Sequence, residues 1–179
     1  MNNFNTVLIV IILLMLPISV YLNYSSYLKI SNNEVKKYYL DFALLSSFYL
    51  LIKFEFYKDI YMILFFNIPL LIAFVKNRKF SVFLMSFLLI YFYSYLSFNL
   101  LLLIFEYLIY ILVYYYCLRK KKSLYNIINV FIIFESFTIG FLYFFTTDLN
   151  AINVDSIYYL FFIISLFIIS TYVLIYLFI

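Results

Sequence analysis

Histidine and tryptophan are absent from this chain, and in 179 residues it has one cysteine, one glycine and two prolines. Each shortage excludes a kind of chemistry. Without histidine there is no imidazole base and no histidine metal site. Cys117 alone rules out an internal disulfide and a thiolate metal framework. A single glycine, Gly140, removes helix contacts of the GxxxG type, so helices must pack through bulky Leu, Ile and Phe, with Ser, Thr and Asn bonding between them.

Charge is scarce as well. Only 11% of residues are charged and 69% are hydrophobic, with a mean hydropathy of +1.11. Ordinary soluble domains are about 45–50% apolar and about 25% charged. A globule of this size cannot bury so much apolar surface, because more than half of its exposed area would still face the solvent. That solvent must be lipid, so the fold class expected is all-α, a polytopic transmembrane helical bundle forming a single integral domain over residues 1–179.

Phe, Tyr, Ile, Asn and Lys are abundant, the usage of an AT-rich genome, and a bacterial source is expected. The 22 Tyr and 24 Phe interleave with Leu and Ile rather than with cations, so they are not a nucleic-acid stacking surface. The net charge of +4 comes from short basic clusters, which suit anionic headgroups.

Seven apolar stretches are near the roughly 20 residues that cross a hydrocarbon core. They are Thr6–Leu28, Tyr38–Phe54, Ile60–Val75, Phe80–Phe98, Leu100–Leu118, Leu124–Phe145 and Ile157–Ile179. The fourth and fifth would make one helix of about 60 Å, too long for one crossing, so "YSYLSFN" (Tyr93–Asn99) is read as a tight hairpin. Charge agrees with this segmentation. Lys29, Lys36, Lys37, Lys76, Arg78, Lys79 and Arg119, Lys120, Lys121 and Lys122 share one side, while the other has only Lys53 and Lys58. The positive-inside rule then puts the N-terminus outside and the C-terminus in the cytoplasm of a cell (plasma or inner) membrane. "MNNFNT" has no cation and no small-residue cleavage site follows, so the first span is expected to be retained. "YVLIYLFI" closes the last span without an anchoring cation, as in a protein that stops at the membrane edge or as the membrane half of a longer one.

Few polar residues fall inside these spans. Glu106 precedes the cationic run at Arg119 by about as many residues as Glu135 follows Lys122. At about 1.5 Å of rise per residue, each carboxyl is then roughly 20 Å from the same edge. On the fifth span Asn99, Glu106, Tyr110, Tyr114 and Cys117 share a helical face; on the sixth, Glu135, Thr138, Leu142 and Thr146 do. Asn67 lies near mid-membrane before Pro69, whose missing N–H leaves a carbonyl unpaired one turn back. Asn67 can bond there or line a cavity with the two glutamates. The candidate intramembrane site is therefore Glu106, Glu135, Asn67, Asn99, Tyr110 and Thr138. It reads either as a polar pocket or as two neutral acids that hydrogen-bond helices together. Asp41, one turn after Lys37, reads as a helix-dipole cap. Lys76, Arg78, Lys79 and "RKKK" (Arg119–Lys122) read as topology and lipid-headgroup anchors. Cys117 reads as a packed thiol.

Enzymatic motifs are missing. Rhomboid-type proteolysis needs a Gly-rich serine motif and a histidine. Intramembrane aspartyl proteolysis needs GxGD, but Phe141 follows Gly140, and no Glu-Glu-x-x-x-Arg occurs. Vitamin-uptake membrane subunits use small-residue helix contacts, unlike a chain with one Gly and three Ala.

The stretches "YYLDFALLSSFYLLIKFEF", "NIPLLIAFVKNRKFS" and "FEYLIYILVYYY" before "RKKK" resemble the multi-span sensor regions of bacterial histidine kinases. The resemblance implies a last helix delivered toward a cytoplasmic catalytic domain. It carries over no phospho-accepting histidine, no ATP-binding region and no functional residue. The expected function is a non-enzymatic sensor or signalling module. The alternatives are a membrane transporter, the substrate-binding subunit of an uptake system, or a structural subunit of a membrane complex. No cofactor, metal or nucleic acid is expected. Expected partners are the lipid bilayer and either a small apolar ligand or another membrane protein.

Overall fold

A computed structural model describes residues 3–27, 33–96, 100–118, 124–146 and 154–178. Its seven α-helices are α1 (Asn3–Tyr27), α2 (Asn33–Lys53), α3 (Asn67–Val75), α4 (Lys79–Leu96), α5 (Leu100–Leu118), α6 (Leu124–Thr146) and α7 (Val154–Phe178). Two 3₁₀ turns, Phe56–Lys58 and Ile63–Phe66, lead into α3. Three helices are long and apolar enough to cross a membrane, over Asn5–Ser26, Tyr125–Phe144 and Asp155–Leu177. Seven stretches were expected to meet that standard. Ile63–Val75, Lys79–Tyr95 and Ile104–Tyr116 are apolar but shorter, and α2 carries Glu34, Lys36, Lys37, Asp41 and Lys53.

The chain is organised around its shortest helix. Every residue from Met62 to Phe74 is buried. The run "ILFFNIPLLIAFV" is apolar on all sides, and such a helix finds its place only with neighbours all round. α2, α4, α5 and α6 supply them; α1 packs on α2 and α7 on α6. Pro69 falls in the first turn of α3, where its missing N–H costs nothing because that donor has no intrahelical acceptor.

The outer helices each turn one apolar side outward. On α4, Phe83, Phe87, Tyr91 and Tyr95 recur at steps of four and are all more than 60% exposed. Met85, Leu89 and Tyr93 repeat the same step on the opposite face and are wholly buried. Comparable outward rings and aliphatics occur on α1, α6 and α7. In water so large an apolar surface would drive aggregation; against lipid tails it is the compatible solvent face. α4 continues through Tyr93 to Leu96, so the first half of the expected Tyr93–Asn99 turn is helix, and the rest of it, residues 97–99, lies outside the described residues. α4 and α5 nevertheless pack side by side, as a hairpin requires.

Between α2 and α3 the chain leaves regular helix yet keeps its backbone bonded through a series of tight turns. The Glu55 N–H donates to Ile52 O, Lys58 to Glu55 and Asp59 to Phe56. The Asp59 carboxylate accepts from the Tyr61 N–H at 2.8 Å, an Asx turn that starts the next 3₁₀ segment. Lys58 pairs with Glu55 at 2.5 Å, and this hydrogen bond raises the Lys58 pKa; an exposed pair like this adds little stability.

At the other end, α3 stops in a Schellman turn. Asn77 adopts a left-handed conformation with φ 52°. The Asn77 N–H donates to Phe74 O at 3.0 Å and the Arg78 N–H to Ala73 O at 2.8 Å. This turn aims Arg78 at α2. Its Nε donates to Asp41 Oδ1 at 2.9 Å and its Nη2 to Oδ2, while Ser81 Oγ donates to Oδ1 at 2.6 Å. Asp41 is therefore no helix cap: it lies well inside α2 and latches that helix to the start of α4. Arg78, expected as a headgroup anchor, is committed to this bidentate pair, with side-chain exposures of 16% and 13% for Arg78 and Asp41.

Two substitutions probe this frame by thermal unfolding in detergent. Asp41→Ala strands a mostly buried guanidinium and is expected to cost about 3 kcal/mol, a loss that Arg78→Lys only partly reproduces because a lysine cannot bond both oxygens. Gly140→Ala, whose added methyl meets nothing within 4 Å, is expected to gain about 0.5–1 kcal/mol from helix propensity.

Candidate functional site

Asn67 is the first residue of α3, at the junction between 3₁₀ and α geometry, and its side chain emerges into the middle of the bundle. Both of its N–H groups are used. Nδ2 donates to Glu135 Oε2 of α6 at 2.5 Å and to the Tyr93 hydroxyl of α4 at 3.2 Å. Its Oδ1 accepts from the Tyr110 hydroxyl of α5 at 3.0 Å. One amide thus ties the central helix to three others. Of the two roles open to Asn67, the one realised joins it to the glutamates.

Glu106 on α5 and Glu135 on α6 face the same interior, near enough to interact electrostatically. Both are fully buried, as are Asn67 and Thr138; Tyr110 is 4% exposed. The expected polar pocket is in fact a closed cluster. Its members satisfy one another unequally. Glu135 Oε2 has its bond from Asn67, whereas Glu135 Oε1 and both oxygens of Glu106 have no hydrogen-bond partner among the described residues.

The unpaired state of Glu106 has a specific cause. The hydroxyls of Tyr110 and Thr138 lie beside its carboxyl. Each has one proton, and each directs it elsewhere: Tyr110 to Asn67 Oδ1 and Thr138 to its own helix at Phe134 O, 3.0 Å. Two donors thus stand between two acceptors apiece. Buried polar groups are almost always bonded, and the exceptions mark strain, chemistry or an ion.

Other expected members fall as follows. Leu142 is buried on the Glu135 face, and Tyr114 is half-buried on the Glu106 face. Asn99 and Arg119–Lys122 lie outside the described residues, as do the side chains of Cys117 and Thr146. Lys76 and Lys79 are exposed at the end of the bundle that carries the Asp41–Arg78 pair. Tyr93 is the member that sequence reasoning misses, because it assigns this residue to the turn; the four-residue step Met85, Leu89, Tyr93 is the available signal. Among the described residues no group of three or more Cys, Asp or Glu side chains could hold a metal ion. The chain matches no family model, no curated protein and no solved structure.

The unequal bonding predicts opposite signs at the two acids. Glu106→Met removes an unpartnered buried carboxyl and is expected to leave stability unchanged or raise it by about 1–3 kcal/mol. Glu135→Met strips Asn67 of one of its two acceptors and is expected to lose about 1–3 kcal/mol. Thermal midpoints in detergent compare the two; a lower midpoint for Glu106→Met would show that this carboxyl is structurally paired.

Proposed function

We propose that this chain is a multi-pass protein of the bacterial cell membrane, with seven spans, its N-terminus outside and its C-terminus in the cytoplasm, and that it acts as a non-enzymatic sensor or signalling module. Seven helices, three of them of full spanning length, and ten cations against two support the topology. The resemblance to histidine-kinase sensor regions points the same way for the role.

One observation carries the sensing role: a fully buried, unpartnered Glu106 beside two hydroxyls that bond elsewhere. A rotation of Tyr110 or Thr138 toward Glu106 satisfies that carboxyl and releases Asn67 Oδ1 or Phe134 O. The cluster therefore has two hydrogen-bonded arrangements of similar composition, the kind of bistable element a small input can bias. Moving Tyr110 off Asn67 loosens α5 from α3, so a local change in bonding becomes a change in helix packing.

A transporter is the second reading, favoured by the broken segment before α3. Discontinuous membrane helices with a polar residue at the break are where transporters bind ions. The two readings part in sealed proteoliposomes carrying an interior pH dye: a sensor gives no flux under an imposed gradient, a transporter gives flux that Glu106→Gln abolishes.

In its own cell, a strain with Glu106→Gln is expected to reproduce much of the transcriptional change seen when the gene is deleted, at unchanged protein level. If Glu106→Gln and Glu135→Gln both keep wild-type output and membrane stability, the shared site has no role in signalling. Topology is read separately by thiol labelling in a Cys117→Ser background, with Lys58→Cys labelled from outside intact cells and Lys76→Cys only after permeabilisation.

A further inference from the structure

A groove of about 310 Å³ runs along the lipid-facing seam between α4 and α5, with Phe74 of α3 at its side. On α4 it extends from Lys79 through Phe83 and Ser86 to Ile90; on α5 it is walled by Tyr114, Ile111 and Tyr107, with Tyr110 as its floor. From Lys79 to Ile90 the helix rises roughly 17 Å, about half of a ~30 Å hydrocarbon core. The groove therefore has the length of one leaflet.

Its chemistry is one-sided. Among the described residues Lys79 is the only charged side chain of the lining, and it stands at one end. It is exposed and makes no ion pair among the described residues, in contrast to its neighbour Arg78, which is bound to Asp41. The Ser86 hydroxyl donates to Phe83 O at 3.1 Å, so the middle of the groove presents no unmet polar group. A slot of leaflet length, apolar along its course and cationic at its mouth, is complementary to an acyl chain that ends in a phosphate.

We propose that the α4–α5 groove binds one acyl chain of an anionic phospholipid from the leaflet on the Lys79 side, with the Lys79 ammonium on its phosphate. The floor gives this site a consequence. Tyr110 lines the groove and also donates its hydroxyl to Asn67 Oδ1. A chain lying on that ring holds it in the Asn67-bonded arrangement and opposes its turn toward Glu106. This last step rests on the sensing role proposed above, with the anionic lipid as the input; the binding itself rests on the groove alone.

The absence of native tryptophan makes the test direct. Tyr107→Trp places a reporter in the groove wall, and Phe161→Trp places one on the exposed side of α7. Each full-length variant is reconstituted in phosphatidylcholine vesicles containing a rising fraction of chain-brominated phosphatidylglycerol or of chain-brominated phosphatidylcholine, and quenching is read. At Tyr107→Trp the anionic lipid is expected to half-quench at a several-fold lower fraction than the zwitterionic one. Adding Lys79→Gln should bring the two curves together, and Phe161→Trp should show no preference.

Equal curves at Tyr107→Trp overturn the proposal. So does a preference that survives Lys79→Gln, and so does the same preference at Phe161→Trp, which marks general enrichment around the protein. A Tyr107→Trp reporter that neither lipid quenches shows the seam covered by another protein surface and overturns it too. Signalling output is a separate readout: unchanged output in Glu106→Gln with lipid preference intact removes the sensing role and leaves the lipid site standing.

Discussion

Asn67 is the interaction on which the arrangement depends. Lipid tails are as apolar as leucine, so burying apolar side chains does little to choose one helix partner over another inside a membrane. Polar side chains make that choice, because leaving one unbonded in a dry interior is costly. α3 brings Asn67 to the centre on a helix with no outward face, and three of the four helices packed against it each present a group to meet it: Tyr93, Tyr110 and Glu135. The apolar fit of Phe65, Phe66 and Leu70 can follow many registers; only one lets a single amide reach all three partners.

Glu106 breaks the economy that Asn67 sets up. It is as deeply buried as Glu135 yet has no hydrogen bond among the described residues, although two hydroxyls stand beside it. A core selected for stability alone would hold an apolar side chain there, as it does further along the same helix at Ile109 and Val113, both nearly wholly buried. Side chains kept against local stability are the usual mark of function. The resulting tension is also local: one proton from Tyr110 or Thr138 relieves it, and either choice takes a bond from a group that now has one.

Much of this was legible in the residues. Six of the seven helices start within about five residues of the apolar stretches, because a segment in an apolar setting must keep its backbone bonded within itself and so stays helical along its apolar length; Ile60–Val75 is the exception, α-helical only from Asn67 and 3₁₀ before it. Equal spacing of Glu106 and Glu135 from the cationic loop put both acids at one depth, and both lie in the same interior cluster. What the spacing could not convey was the central place of α3. Its composition differs little from the other apolar stretches, and only its shortness and the absence of any outward face distinguish it. Asp41 misled for a related reason: counted from Lys37 it looked like a first-turn acid, but α2 begins at Asn33, and its partner Arg78 is distant in sequence and brought near by the Schellman turn at Asn77. Tyr93 was hidden by being read as turn.

Polar bonds join specific pairs of helices. The Asp41–Arg78–Ser81 contact joins α2 to the start of α4 through a bidentate, mostly buried pair at the basic end. α5 and α6 are tied to α3 through Asn67, which bonds both Tyr110 and Glu135, and α6 is tied to α7 through the Tyr143–Ser156 and Tyr172–Asn129 hydrogen bonds. A change in the acceptor of the Tyr110 hydroxyl acts first on the contact between α5 and α3, because that proton now bridges the two helices. Glu106 lies on the same helix as Tyr110 and beside its hydroxyl, so the two acceptors within reach of that one proton belong to different helices: Asn67 on α3, which ties α5 to its neighbour, and Glu106 on α5 itself, which does not.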